Sequence, residues 1–151
     1  MDLEHWCWLA LVACALHIGE EFALDWCGWV RSLTGIEVSR RVFWTMNGLL
    51  LALGMVCASV ASRWPVVGLA IPALMLVNAT VFHVGAWIWT RGRISPGLIT
   101  ALVLFYPIAI GCYRSAGQAG VLTGSVLAES FLLGAIPMAL PFPILRTLSR
   151  K

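Results

Sequence analysis

The chain has 151 residues, 60% hydrophobic and 11% charged, with a net charge of +3 and a mean hydropathy of +0.89. A soluble domain carries about 25% charged residues, so there is too little polar side chain here to wrap a soluble globule, and an integral membrane protein is the expected class. A small positive charge with no basic tract, no arginine–aromatic interleaving and no zinc-finger spacing excludes nucleic acid as a partner.

Met1-Asp2-Leu3-Glu4-His5 is acidic, unlike the basic start of a cleaved signal peptide, so the first apolar segment should stay attached as a membrane helix. That segment runs from about Trp6 to Val30. It carries His17-Ile18-Gly19-Glu20-Glu21 inside an otherwise apolar stretch. A charged side chain at the centre of a membrane helix costs roughly 2.5–3.5 kcal/mol, so three titratable groups in five residues need a function to keep them there. On an α-helix His17 and Glu21 are four apart and Glu20 is three from His17, so all three border one face. Asp25 is expected to extend that stripe by a turn, with an interfacial role outweighing a functional one.

Ser32 to Arg41 breaks the chain before a second segment, Val42 to Ser62. Arg63-Trp64-Pro65 precedes a third, Val66 to Thr90, which holds Asn78 and His83. Five residues apart, these two would diverge by about 140° on an α-helix. Arg91-Gly92-Arg93 leads to a fourth segment, Pro96 to Tyr113, with Ser95 and Pro96 suited to its N-cap and first turn. Arg114 to Gly117 is the expected break before the fifth segment, Val121 to Leu140, where Glu129 is the one carboxylate. Five cysteines (Cys7, Cys14, Cys27, Cys57 and Cys112) show no CxxC pairing and read as small apolar residues. Most of the eight tryptophans fall near segment ends, as in a membrane aromatic belt.

The predicted fold is an all-α polytopic membrane bundle of about five transmembrane helices, forming one domain over residues 1–151. Arg31, Arg40, Arg41, Arg91, Arg93, Arg146, Arg150 and Lys151 fall on one side, against Arg63 and Arg114 on the other. The positive-inside rule then puts the N-terminus outside and the C-terminus in the cytoplasm. In that orientation His17, Glu20, Glu21, Asn47, Asn78, His83 and Thr100 converge in the cytoplasmic half.

Two histidines and a glutamate match a catalytic zinc ligand set with one position left open. His17, Glu21 and His83 are therefore the expected ligands of a divalent metal, zinc or iron. Glu20 would move a proton, and Asn78 or Thr100 would orient the substrate. Two adjacent carboxylates in a dry interior do not both hold charge unless a cation lies between them or a proton is shared with His17. The leading expectation is a metal-dependent enzyme working on a lipophilic small molecule in a bacterial inner membrane. A proton- or ion-coupled carrier using the same groups is the alternative, and a non-catalytic partner subunit touching anionic membrane lipid through Arg40, Arg41, Arg91 and Arg93 is a third. A homo-oligomer suits any of these.

These residues together resemble the HXXEE family of small multi-spanning bacterial membrane proteins. The likeness rests on His17-Ile18-Gly19-Glu20-Glu21, on Asn78 with His83, and on Ser95-Pro96-Gly97-Leu98-Ile99-Thr100, which is similar to the family's Ser-Pro-Gly-x-x-Thr stretch. It covers most of the chain up to Pro107. The family is uncharacterised, with enzyme activity suggested, so the resemblance implies His17, Glu20, Glu21, Asn78 and His83 as catalytic or binding positions and names no substrate.

Overall fold

The computed structural model describes residues 1–139, and every regular element in them is helical. The helices are α1 (Leu3–Ala23), α2 (Trp26–Thr34), α3 (Arg40–Val60), α4 (Pro65–Trp89), α5 (Leu98–Gln118) and α6 (Gly124–Ala139). Of these, α1, α3, α4 and α5 are long and apolar enough to cross a membrane, as an integral membrane protein requires. Within the described residues α6 is a shorter apolar helix; the predicted end of the fifth segment at Leu140, with Arg146, Arg150 and Lys151, lies outside them.

Two predicted boundaries are corrected. The first segment is not one helix to Val30: α1 stops at Ala23, and Asp25 adopts a left-handed conformation (φ 53°, ψ 58°) before α2 begins. Aspartate tolerates that region because its short polar side chain bonds locally, and here it accepts the Gly28 amide at 3.3 Å as the α2 N-cap. Asp25 thus leaves the helical register of the His17–Glu21 stripe instead of lengthening it by a turn. The expected break at Arg114 to Gly117 is also absent, because α5 runs through it to Gln118 and turns at Ala119 and Gly120. A single glycine among helix-compatible residues costs a helix only about 1 kcal/mol, too little to end one held by tertiary packing.

At the N-terminus Asp2 caps α1, accepting the His5 amide at 3.0 Å and lying 2.7 Å from the His5 ring. The backbone bond first, then the ring, hold its carboxyl below the usual carboxylate range.

The bundle packs through small side chains. Cys7, Ala10, Ala13 and Cys14 of α1 meet Cys57 and Ala58 of α3, Met75 and Ala79 of α4, and Ala101, Cys112 and Ala116 of α5 in one buried core. Small residues let helix backbones approach closely where no water drives them together. α4 changes to π-helical winding over Asn78–Gly85 and α5 near its start over Ala101–Phe105, and the two π segments pack on one another. Thr80 Oγ1 of the first bonds Tyr106 Oη, just past the second, at 3.0 Å. Wider i→i+5 winding narrows the roughly 140° expected on an α-helix, yet Asn78 and His83 still serve different neighbours, Met138 of α6 and Ser95. π turns are frequent where helices carry functional groups, and one of these two carries His83.

Candidate functional site

α1 brings His17 and Glu21 to its last turns, and the π segment of α4 brings His83 beside them. All three side chains are buried (4%, 7% and 1% exposed). Glu21 Oε1 is 3.5 Å from His17 Nε2 and 3.8 Å from His83 Nε2, and the three ligand atoms lie within 4.8 Å of one another. The imidazoles meet edge to face with centroids 4.8 Å apart, and Phe105 backs His17 at 4.3 Å.

The far nitrogen of each ring is held by a hydroxyl. His17 Nδ1 lies 2.8 Å from Thr100 Oγ1, and His83 Nδ1 lies 3.0 Å from Ser95 Oγ. Thr100 directs its own hydroxyl proton at the Gly97 carbonyl, 3.2 Å away. Its oxygen therefore accepts from His17 Nδ1–H, which leaves the His17 Nε2 lone pair facing Glu21. Neither Nε2 atom has a hydrogen-bond partner. Buried polar nitrogens without a partner are costly, and the His17 Nε2 lone pair facing the Glu21 carboxylate calls for a positive species or a proton between them. No arginine reaches Glu20 or Glu21 among the described residues.

Ser95-Pro96-Gly97-Leu98 closes this cluster from the side. It was expected to start a helix with Ser95 as N-cap, but the helix begins at Leu98. The four residues form a type II β-turn, with Leu98 N–H donating to Ser95 C=O at 3.1 Å and Gly97 at φ 93°, ψ −10°. Proline sets the first central position and glycine supplies the positive φ of the second. Freed from capping, the Ser95 hydroxyl goes to His83. A Cβ on Gly97 would sit 2.6 Å from His17 Cε1, 2.7 Å from His83 Cε1 and 3.0 Å from Glu21 Cγ, so the turn lies directly on the three side chains.

Glu20 is not one of the three. Its Oε1 accepts the amides of Gly97 and Ile99 at 3.2 Å, and its Oε2 accepts the Thr100 amide at 2.8 Å. It fastens the Ser-Pro-Gly turn and the first turn of α5 to α1. Asn78 lies outside the three as well: its Nδ2 donates to Met138 Sδ of α6 at 3.7 Å, and its buried Oδ1 has no partner. Asn47 donates to the Phe43 carbonyl of its own helix at 3.0 Å, and Glu129 is exposed on α6. Ser95 and Gly97 belong to the site although their residue types gave no reason to place them there. The signal was the glycine after Ser-Pro, which reads as a turn before it reads as a helix start.

The spacing suits a cation. Ligands about 2.0–2.2 Å from a tetrahedral zinc sit roughly 3.3–3.6 Å from one another, close to the two separations from Glu21, whereas the three atoms together span up to 4.8 Å, so the imidazoles would draw closer around a bound ion. The outer hydroxyls also match the usual arrangement, in which the non-ligating imidazole nitrogen is hydrogen-bonded and fixes ring and tautomer. Were a cation held there, Ser95→Ala and Thr100→Ala should each weaken its binding by about 10- to 100-fold with the helices intact. Titration with zinc after chelator treatment, followed by circular dichroism, measures both quantities.

A helical membrane protein with a buried His/Glu group gripped by a Ser-Pro-Gly turn is the class that fold and site define. Residues 8–112 match the family described as a protein of unknown function with HXXEE motif, and the chain belongs to that family. No curated protein and no solved structure matches it.

Proposed function

We propose that this protein is a metal-dependent enzyme of the bacterial inner membrane that acts on a lipophilic substrate, with His17, Glu21 and His83 holding one divalent cation, zinc or iron. The observation that carries this reading is the pair of buried, unpartnered Nε2 atoms turned to the same Glu21 oxygen. A cation bound there supplies a Lewis acid with an open coordination position. The protein's own groups do the rest. Thr100 and Ser95 fix the rings, Phe105 keeps water from His17, and Glu21 borders the neighbouring cleft, where it can exchange a proton. Glu20, committed to three backbone amides, serves as the anchor of the turn. Asn78 serves the contact between α4 and α6. Arg40, Arg41, Arg91 and Arg93 flank the helix ends nearest the cluster, which supports a cytoplasmic position for it.

Elemental analysis of the protein purified in detergent is the test. Wild type should carry close to one equivalent of metal per chain. His17→Ala and His83→Ala should each carry less than about a tenth of that, because removing one of three ligands also leaves the others uncompensated. A wild type without metal, or unchanged metal in both variants, rules the reading out.

A further inference from the structure

The break between α1 and α2 opens a cleft of about 140 Å³, lined by Glu21, Phe22, Asp25, Trp26, Arg40 and Phe43 among others. That is about ten times the roughly 10–15 Å³ that admits one water. One wall is Glu21 of the buried cluster, so the cleft is the described cavity that leads directly to it.

The cleft has two chemically distinct parts. Arg40 stands at the mouth, exposed, with no ion pair among the described residues; its guanidinium lies 5.8 Å above the Phe22 ring. It is also the first residue of α3, and the N-terminal end of that helix adds partial positive charge there, although Ser39 Oγ caps the Val42 amide. The second part is aromatic. Phe22 and Trp44 are 4.9 Å apart by centroid, Trp26 and Phe43 5.8 Å, and Phe43 and Trp44 5.4 Å. Phe22 and Trp44 are 44% and 49% exposed, so this apolar wall continues outward from the mouth. Asp25, the other acid at the cleft, already accepts the Gly28 amide. α2 follows the break with Trp26, Trp29, Val30 and Leu33 set against Arg31 and Ser32. That pattern belongs to a helix lying in the membrane interface.

We infer that this cleft docks an amphiphile with an anionic headgroup, an alkyl phosphate or a fatty carboxylate, with its head on Arg40 and its chain along Phe22, Phe43 and Trp44. An arginine with no ion-pair partner among the described residues, set beside an aromatic wall, suits such a molecule: the guanidinium forks onto phosphate or carboxylate, and the chain stays in contact with lipid. The inference deepens the functional reading above and rests on it for the role of Glu21 alone.

Cys27 lines the same cleft and is half-buried, whereas the other four cysteines are buried, so its alkylation reports occupancy. Burial first, then Asp25, push its thiol up, so the reaction is run at alkaline pH in nanodiscs of zwitterionic lipid. Dodecyl phosphate or laurate should slow N-ethylmaleimide alkylation of Cys27. Inorganic phosphate, dodecanol and dodecyltrimethylammonium should not. Arg40→Gln should weaken the protection by about tenfold or more, as loss of a charge-assisted bond does; Arg40→Lys should keep part of it, and Arg41→Gln should keep it whole. Protection by either anionic amphiphile supports the inference. Protection by dodecyltrimethylammonium or inorganic phosphate, or equal protection in Arg40→Gln, overturns it. Metal content measured on the same samples separates the two readings: lost protection with full metal sinks the docking cleft alone, and intact protection without metal sinks the metal reading alone.

Discussion

Gly97→Ala should abolish the cation binding proposed for His17, Glu21 and His83 and destabilise the protein by about 2–5 kcal/mol. Two costs combine. A non-glycine residue in a left-handed conformation loses roughly 1–2 kcal/mol, and Gly97 holds φ 93° because the type II turn requires it. The new methyl group would also press on both imidazoles and on Glu21 at 2.6–3.0 Å, and overpacking of this kind costs about 1–3 kcal/mol. None of those neighbours can retreat freely. His17 and His83 are pinned through Nδ1 by Thr100 and Ser95, and Phe105 stands behind His17. Gly120→Ala separates the two costs, since Gly120 also has positive φ (72°) but nothing within 4 Å of its Cβ position. It should lose only the backbone part and keep its metal. Thermal unfolding in detergent, with metal content before heating, measures both variants. A Gly97→Ala protein that binds metal as wild type does would mean that the turn does not press on the cluster.

The membrane class and the central trio were legible because each follows from a simple rule. Low charge over 151 residues excludes a soluble globule, an i, i+4 spacing puts His17 and Glu21 on one face, and the first and third spans, running the same way, bring His83 to their level. What escaped reading depends on contacts far apart in sequence. Adjacent positions on a helix point about 100° apart, so Glu20 and Glu21 have different neighbours although the motif writes them together. Glu20 finds amides nearly eighty residues away, and no spacing rule reaches them. Ser95 fits two structures, a helix cap or a turn with a free hydroxyl, and only His83 decides between them. The π segments are invisible because apolar residues on all faces hide a change of winding. The break at Asp25 is hidden too, since neither glycine nor proline marks it and an aspartate in left-handed geometry is a tertiary choice.

The neighbouring glutamates should respond in opposite ways to loss of charge. Glu20→Ala leaves the amides of Gly97, Ile99 and Thr100 without their acceptor at the start of α5. Hydrogen bonds to a charged group are each worth about 1.5–3 kcal/mol, and unpaired backbone groups in apolar surroundings cost several more. Because Glu20 is only half-buried, water compensates in part, and the net loss should be about 2–4 kcal/mol. Glu20→Gln retains one oxygen for Gly97 and Ile99 but turns an NH₂ group toward the Thr100 amide, so its loss should be smaller, about 1–2 kcal/mol. Metal should remain in Glu20→Gln, weakened only as far as the turn loosens. Glu21→Gln should do the reverse. On the metal reading it removes a ligand and so most of the metal, yet a charge at that buried position is costly without a cation, so an amide of the same shape should leave the stability of metal-free protein unchanged or higher. Unfolding midpoints and metal content of the three variants, taken together, decide the matter. If Glu20→Ala unfolds at the wild-type midpoint, Glu20 does not anchor the turn, and a proton-moving role would be the remaining use for its charge.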